Sequence, residues 1–163
     1  MALATGTRLG PYKVRQQIGA GGMGEGYKAR DKRLDRIVAL RVLPAHLAGR
    51  PELRERFERN ARTIASLNHP HICTLYDIGQ QDGADYLVIE YLEGETLAVR
   101  LKKGLPSVAS AKEGPLPLEQ VPHYALDIAD ALDKANRKGV THRDLKPGNI
   151  IQTKAGSKLV EAL

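Results

Sequence analysis

The chain predicts an α+β fold, with several short strands and one long helix before residue 92 and a second long helix after it. Three observations predict it. Apolar and polar residues alternate in short runs before residue 92, as half-buried strands do. Helix spacing dominates only two long stretches, 51–67 and 121–135. At 163 residues, with 42% hydrophobic and 27% charged content, the chain is long enough to bury a core and too apolar for disorder.

In order, Gly10 to Ile18 is a strand in which Tyr12, Val14 and Ile18 alternate with polar residues. Gly19, Gly21 and Gly24 then form G-x-G-x-x-G, a spacing that lets backbone approach phosphates without side chains in the way. Because a strand precedes it and Glu25 to Arg30 reads as a returning strand, a hairpin flap is favoured over the strand-to-helix turn of dinucleotide folds. Arg36 to Leu43 is a β-branched strand, and Pro51 to Leu67 a helix whose acids Glu52, Glu55 and Glu58 alternate with bases on a solvated face. Ile72 to Ile78 and Ala84 to Tyr91 read as strands joined by the polar turn Gly79 to Gly83. Gly94-Glu95-Thr96 opens a short helix, and the Gly-, Pro- and Ser-rich stretch 104–117 is a flexible surface loop. Val121, Tyr124, Ala125, Ile128, Ala131, Leu132 and Ala135 recur at three-and-four spacing, giving a helix with one apolar face. Pro122 suits its first turn and Gly139 its end. Ile150-Ile151 and Lys158 to Val160 are short strands around the turn Ala155-Gly156.

Composition narrows the functional classes. Net charge is +6, but the bases are spread along the chain and few aromatics interleave with them, which argues against a nucleic-acid surface. Cys73 is the one cysteine; it forms no internal disulfide and reads as a buried strand residue rather than a reactive thiol. No leader-like N-terminus and no apolar run of spanning length appear, so a cytoplasmic protein without a membrane segment is expected. Of the five histidines only His69 and His71 are closely spaced, and they belong to the turn Asn68-His69-Pro70-His71; a zinc site is not expected.

Residues 142–149 read His-Arg-Asp-Leu-Lys-Pro-Gly-Asn. Read alone, such a stretch also describes a polar turn closed by Pro147 and Gly148. As a whole it resembles the catalytic loop of protein kinases, and its Lys-Pro pair resembles the serine/threonine branch as found in bacterial-type enzymes. The resemblance runs from about Leu9 to the end of the chain. It implies a five-stranded antiparallel small lobe and hinge over 9–92, a tail at 1–8, and an incomplete, mostly helical large lobe over 93–163. It further implies ATP and Mg2+ as ligands and protein Ser/Thr as phosphoacceptor. Asp144 falls where the family keeps its catalytic base, Lys146 where a lysine neutralises the transferring phosphate, and Asn149 where an amide oxygen holds a metal ion. Gly19, Ala20, Gly21 and Gly24 would cover ATP; Ala39 and Ile151 would line the adenine pocket, and the backbones of Glu90 and Leu92 would pair with adenine beside Ile89.

The chain departs from the family pattern at four places. Arg41 stands where the family has its phosphate-binding lysine; it stays charged and can grip phosphates, but its planar fork is bulkier and longer than a compact ammonium. Asn60 stands where the partner glutamate belongs; Glu58 lies about 200° round the helix from it. Gly26 replaces the valine that roofs adenine. Glu161-Ala162-Leu163 replaces Asp-Phe-Gly, leaving Glu161 as a metal ligand one methylene too long for a shell that tolerates little beyond about 2.1 Å. Three readings follow: a serine/threonine kinase of impaired activity, a pseudokinase-like nucleotide-binding or protein-interaction module, and a truncated frame without selected function. With the rest of the large lobe absent, the apolar face of helix 121–135 is expected to lie open, as a surface for self-association.

Overall fold

The computed structural model describes residues 3–21, 24–43, 51–103 and 118–160. The loop at 104–117, the flap tip Gly22-Met23 and Glu161-Ala162-Leu163 lie outside the described residues. Two units emerge, one of residues 1–65 with 74–91 and one of 66–73 with 92–163.

The first unit is mostly strand. Strands β1 (Arg8–Leu9), β2 (Tyr12–Gly21), β3 (Gly24–Asp31), β4 (Arg36–Val42), β5 (Leu75–Gln81) and β6 (Ala84–Glu90) form one sheet in the order β1-β2-β3-β4-β6-β5. Every pair is antiparallel; the two-residue edge strand β1 joins the five expected strands. The register places Tyr27 opposite Leu40, Ala29 opposite Val38 and Leu40 opposite Val88. These side chains therefore share a face, and with Leu9, Tyr12, Val14 and Tyr86 they form the core. Burying each large member contributes about 1.5–3 kcal/mol. The segment before β1 is bonded to the sheet, with Leu3 N–H on Tyr27 Oη at 2.8 Å and Gly6 N–H on Val14 O at 2.9 Å. Helix α1 (Pro51–Ala65) packs on β5 and buries Ala61 and Ile64.

Two expectations shift here. The strand expected at 72–78 is β5, three residues later. Its turn tightens to Asp82-Gly83, with φ of 52° and 77° between the paired residues Gln81 and Ala84, the left-handed pair that a two-residue hairpin needs. Gly79 is a strand residue, not a turn residue. A Cβ there would meet Tyr86 Cζ at 2.4 Å, so the facing ring requires glycine.

The second unit holds a three-stranded sheet, β7 (Gly94–Thr96), β8 (Ile150–Thr153) and β9 (Gly156–Leu159), in that order. Gly94-Glu95-Thr96 is thus a strand rather than a helix start. A Cβ on Gly94 would sit 1.9 Å from Gln152 O, which is how β8 comes so close. Helix α2 (Leu97–Lys103) follows, with Thr96 Oγ1 accepting Val99 N–H at 3.2 Å as a cap. Ile72 bridges Leu159 in parallel, and Cys73, buried but outside any strand, donates its N–H to Leu159 O at 2.8 Å. Helix α3 (Val121–Arg137) has Pro in its first turn and closes at Gly139, φ 76°. There Gly139 N–H bonds Asn136 O at 2.9 Å and Val140 N–H bonds Ala135 O at 3.0 Å, a Schellman closure. Of the apolar residues expected on its one face, only Ala131 and Ala135 are buried and Val121 is 46% exposed; Leu126, which lies off that face, is 67% exposed.

Candidate active site

In the first unit the glycine flap is the β2–β3 hairpin, with Gly19 paired to Gly26, Ala20 to Glu25 and Gly21 to Gly24. The three motif glycines are not equivalent. Gly24 has φ 113°, and a Cβ there would fall 2.1 Å from Val42 O, so any side chain would break the hairpin's approach to β4. A Cβ on Gly19 would meet nothing within 4 Å, which leaves open backbone of the kind a phosphate can approach. At Gly26 a Cβ would find ordinary contacts, Ile18 Cγ1 at 3.5 Å and Gly19 O at 3.7 Å; a valine roof would fit, and this chain lacks it.

Pairing of Gly26 with Arg41 and Lys28 with Ala39 puts these four residues on the sheet face opposite the core. Arg41 is half-buried, and burial pulls its guanidinium below the ordinary range. Lys28 Nζ lies 4.3 Å from the centre of the Tyr91 ring. Asn60 is half-exposed on α1, and Glu58 pairs along the helix with Arg62 at 3.9 Å. Glu90 donates its N–H to Thr74 O at 2.9 Å and takes Thr74 N–H on Oε2 at 3.3 Å, so its N–H is bound within the sheet's own edge.

In the second unit Leu92 is half-buried, Ile151 pairs with Thr96 and Lys158, and the loop between α3 and β8 brings three candidates together. Val140 and His142 turn inward. Arg143 takes φ 55° while Asp144 N–H bonds His142 O at 2.6 Å, a three-residue turn that a side-chain-bearing residue adopts at about 1–3 kcal/mol of strain. Pro147 then opens the single turn Pro147–Asn149. The outcome is a small network. Lys146 Nζ donates to Asp144 Oδ2 at 2.5 Å, and Asn149 Nδ2 donates to Asp144 O at 2.9 Å and Oδ2 at 3.2 Å. The Lys146 bond, with smaller help from Asn149 and His142, holds the Asp144 carboxyl below its ordinary range, so it stays ionised. Burial pushes His142 down, outweighing the opposing pull of the Val160 backbone and Asp144. Both its ring nitrogens lack a well-formed hydrogen bond among the described residues.

The donor set can be weighed against Mg2+. Asn149 is buried, and both side-chain bonds to Asp144 use Nδ2; Oδ1, a hard neutral oxygen, is not engaged by them. Asp144 Oδ1 is likewise outside these bonds. The Asn149 oxygen suits a cation that completes its shell with water and phosphate, while Asp144 Oδ1 stays open to an acceptor hydroxyl. No cluster of three acidic, His or Cys ligands occurs among the described residues, and Glu161 lies outside them.

One constellation escapes a reading of the sequence alone. His71, taken as a turn residue, reaches Ser157 O through Nδ1 at 2.9 Å and Asp127 Oδ1 through Nε2 at 3.3 Å. Asp127 stands three residues after Tyr124 and four before Ala131 on α3, and a carboxylate at that spacing on the inward side of an amphipathic helix was the available signal.

A family model described as protein kinase domain matches residues 12–160. The serine/threonine-protein kinase PknE of Mycobacterium bovis is 38% identical over 146 residues, covering 90% of this chain and 24% of that protein. The serine/threonine-protein kinase PksC of Streptomyces coelicolor is 35% identical over 151 residues, covering 90% of this chain and 26% of that protein. A crystal structure of the Mycobacterium tuberculosis PknI kinase domain matches with a TM-score of 0.84 at 32% identity, over 98% of this chain and 61% of that domain. The chain thus spans about a quarter of the length of these curated relatives. No helix among the described residues is long and apolar enough to cross a membrane.

Proposed function

The chain belongs to the protein kinase family, and from that premise we propose that it serves ATP-dependent phosphoryl transfer to serine or threonine of protein substrates, with a weakened hold on nucleotide. The observation that carries this reading is the network of Asp144, Lys146 and Asn149. An acceptor hydroxyl attacks the γ-phosphorus, its proton passes to the Asp144 carboxylate, and the bond to the departing ADP breaks. Lys146, already beside that carboxylate, offsets charge on the transferring group. Asn149 Oδ1 would hold Mg2+, which when bound neutralises phosphate charge. In the first unit, Gly19, Ala20 and Gly21 would lie against the phosphates and Ala39 against the base. Arg41 supplies a cation in place of lysine, without a glutamate at 60 to aim it. The cytoplasm, where ATP is available, is the compartment this chemistry suits, and the exposed Val121 and Leu126 of α3 add self-association to the proposal.

The test is transfer of labelled γ-phosphate from MgATP to a mixed Ser/Thr peptide pool. Transfer by the unaltered chain and its fall by roughly 10²–10⁴ in Asp144→Asn support the reading. No transfer and no thermal shift at millimolar ATP reject it. A thermal shift without transfer selects the second reading, a nucleotide-binding module, which Arg41 and Asn60 favour. The double change Arg41→Lys with Asn60→Glu is then expected to tighten ATP binding.

A further inference from the structure

Three segments far apart in the chain meet at one carboxylate. Asp127 Oδ2 accepts Ser157 N–H at 2.9 Å, and Oδ1 lies 3.3 Å from His71 Nε2. His71 Nδ1 closes the triangle on Ser157 O at 2.9 Å. The Asp127 side chain is 21% exposed. The neighbouring pair of Asp130 with His69, at 3.0 Å, has its carboxylate 66% exposed and is worth little in water. Gly156 makes the closer approach possible: a Cβ there would stand 2.9 Å from Asp127 Oδ2 and 3.2 Å from His71 Cε1.

From this triangle an unbroken run of bonds leads to the catalytic loop. Leu159 N–H bonds His71 O at 2.9 Å, the next residue, Val160, bonds Asn149 O through its N–H at 2.9 Å, and Asn149 Nδ2 bonds Asp144. We infer that Asp127 is a positioning residue for this loop. By fastening β9 and the 69–72 segment to α3, it fixes where Val160 holds Asn149, and so where Asn149 holds Asp144. The inference rests on the reading of residues 142–149 as the phosphoryl-transfer loop.

Two variants of the full chain test it by NMR. In Asp127→Ala, exchange of the Val160 amide and the Asn149 side-chain amide is expected to accelerate at least roughly tenfold, while the Ala131 amide of α3 is unchanged. Asp127→Asn, which keeps an oxygen for Ser157 N–H, is expected to restore most of the Val160 protection. With ADP present, Mn2+ should broaden Asn149 in the unaltered chain and require a higher concentration to do so in Asp127→Ala. Unchanged exchange at Val160 and Asn149, or a loss shared equally by Ala131, overturns the positioning role even where Mn2+ broadening is intact. Failure of Mn2+ to broaden Asn149 in the unaltered chain overturns the parent reading and the catalytic meaning of Asp127 with it.

Discussion

In the first unit Tyr27, Ala29, Val38 and Val88 are each 0% exposed, whereas the 17-residue helix α3 of the second buries only Ala131 and Ala135. Strand register closes the first unit's apolar face, because each cross-strand pair brings two side chains to the same side. The second unit buries Leu67, Ile72, Val140, Ile150 and Leu159 and adds polar ties across its segments: Asp127 to Ser157 and His71, Asn149 to Asp144, Val160 to Asn149. The first kind of cohesion tolerates changes of pH and depends on volume. The second depends on charge and on which groups are protonated.

The largest expected break is therefore in the first unit's core. Leu40→Ala should remove about 2–5 kcal/mol of stability, read as loss of protection at β3 and β4 amides in urea while α3 amides persist. Simultaneous loss in both units would show that the contrast in cohesion has no thermodynamic counterpart. Next comes the flap. Gly24→Ala should lower stability by more than about 2 kcal/mol, given its φ of 113° and the 2.1 Å approach to Val42 O. Gly19→Ala should change it by less than about 0.5 kcal/mol. A thermal melt of each variant decides the matter, and equal losses would refute the distinction.

The third effect separates the units by pH. His142 is pushed below its ordinary 6.5 by burial, so the unfolded chain binds its proton first and stability is complete only above 6.5. As pH falls from 6.5 toward the depressed folded value, the second unit should lose up to about 1.4 kcal/mol per pH unit. Asp144, held below its ordinary 3.8 chiefly by Lys146, adds a further loss in strong acid. Protection factors, taken relative to intrinsic exchange at each pH, should thus fall between pH 7 and 5 around β8 and β9 and not in the β3–β4 ladder; an equal fall in both would count against the assignment. The smallest effect is at exposed Leu126 of α3, where Leu126→Gln should leave stability within about 0.5 kcal/mol of the original while weakening self-association in sedimentation. A larger loss of stability would mean that Leu126 is already covered.

Legibility followed the same divide. The alternation of Tyr12 and Val14 in β2 and the helix spacing of α3 were plain in the sequence because each is a local period, whereas β4 showed as a β-branched run. The strand at 75–81 was displaced because Ile72 and Cys73 continue its apolar run, while Ile72 bridges Leu159 and Cys73 N–H bonds the Leu159 carbonyl. Gly79 and Gly94 read as turn or cap signals, yet each serves a close approach by Tyr86 or Gln152 that only the paired strand reveals. Asp82-Gly83 was the stronger turn signal within 79–83. At the candidate site the loop 142–149 was legible as eight contiguous residues, whereas the Asp127 triangle joins positions 30 and 86 residues apart, beyond any local pattern.

The geometry at Gly24 carries a practical warning for mutational scanning. A survey that replaces every glycine of the flap and scores loss of nucleotide binding would rank position 24 first, since its variant unfolds the hairpin. Ranked that way, an architectural requirement would pass for ligand recognition, and the residue best exposed to a phosphate, Gly19, would look dispensable. Informative probes of recognition in this flap are substitutions at 19 and 20, scored against a folding control.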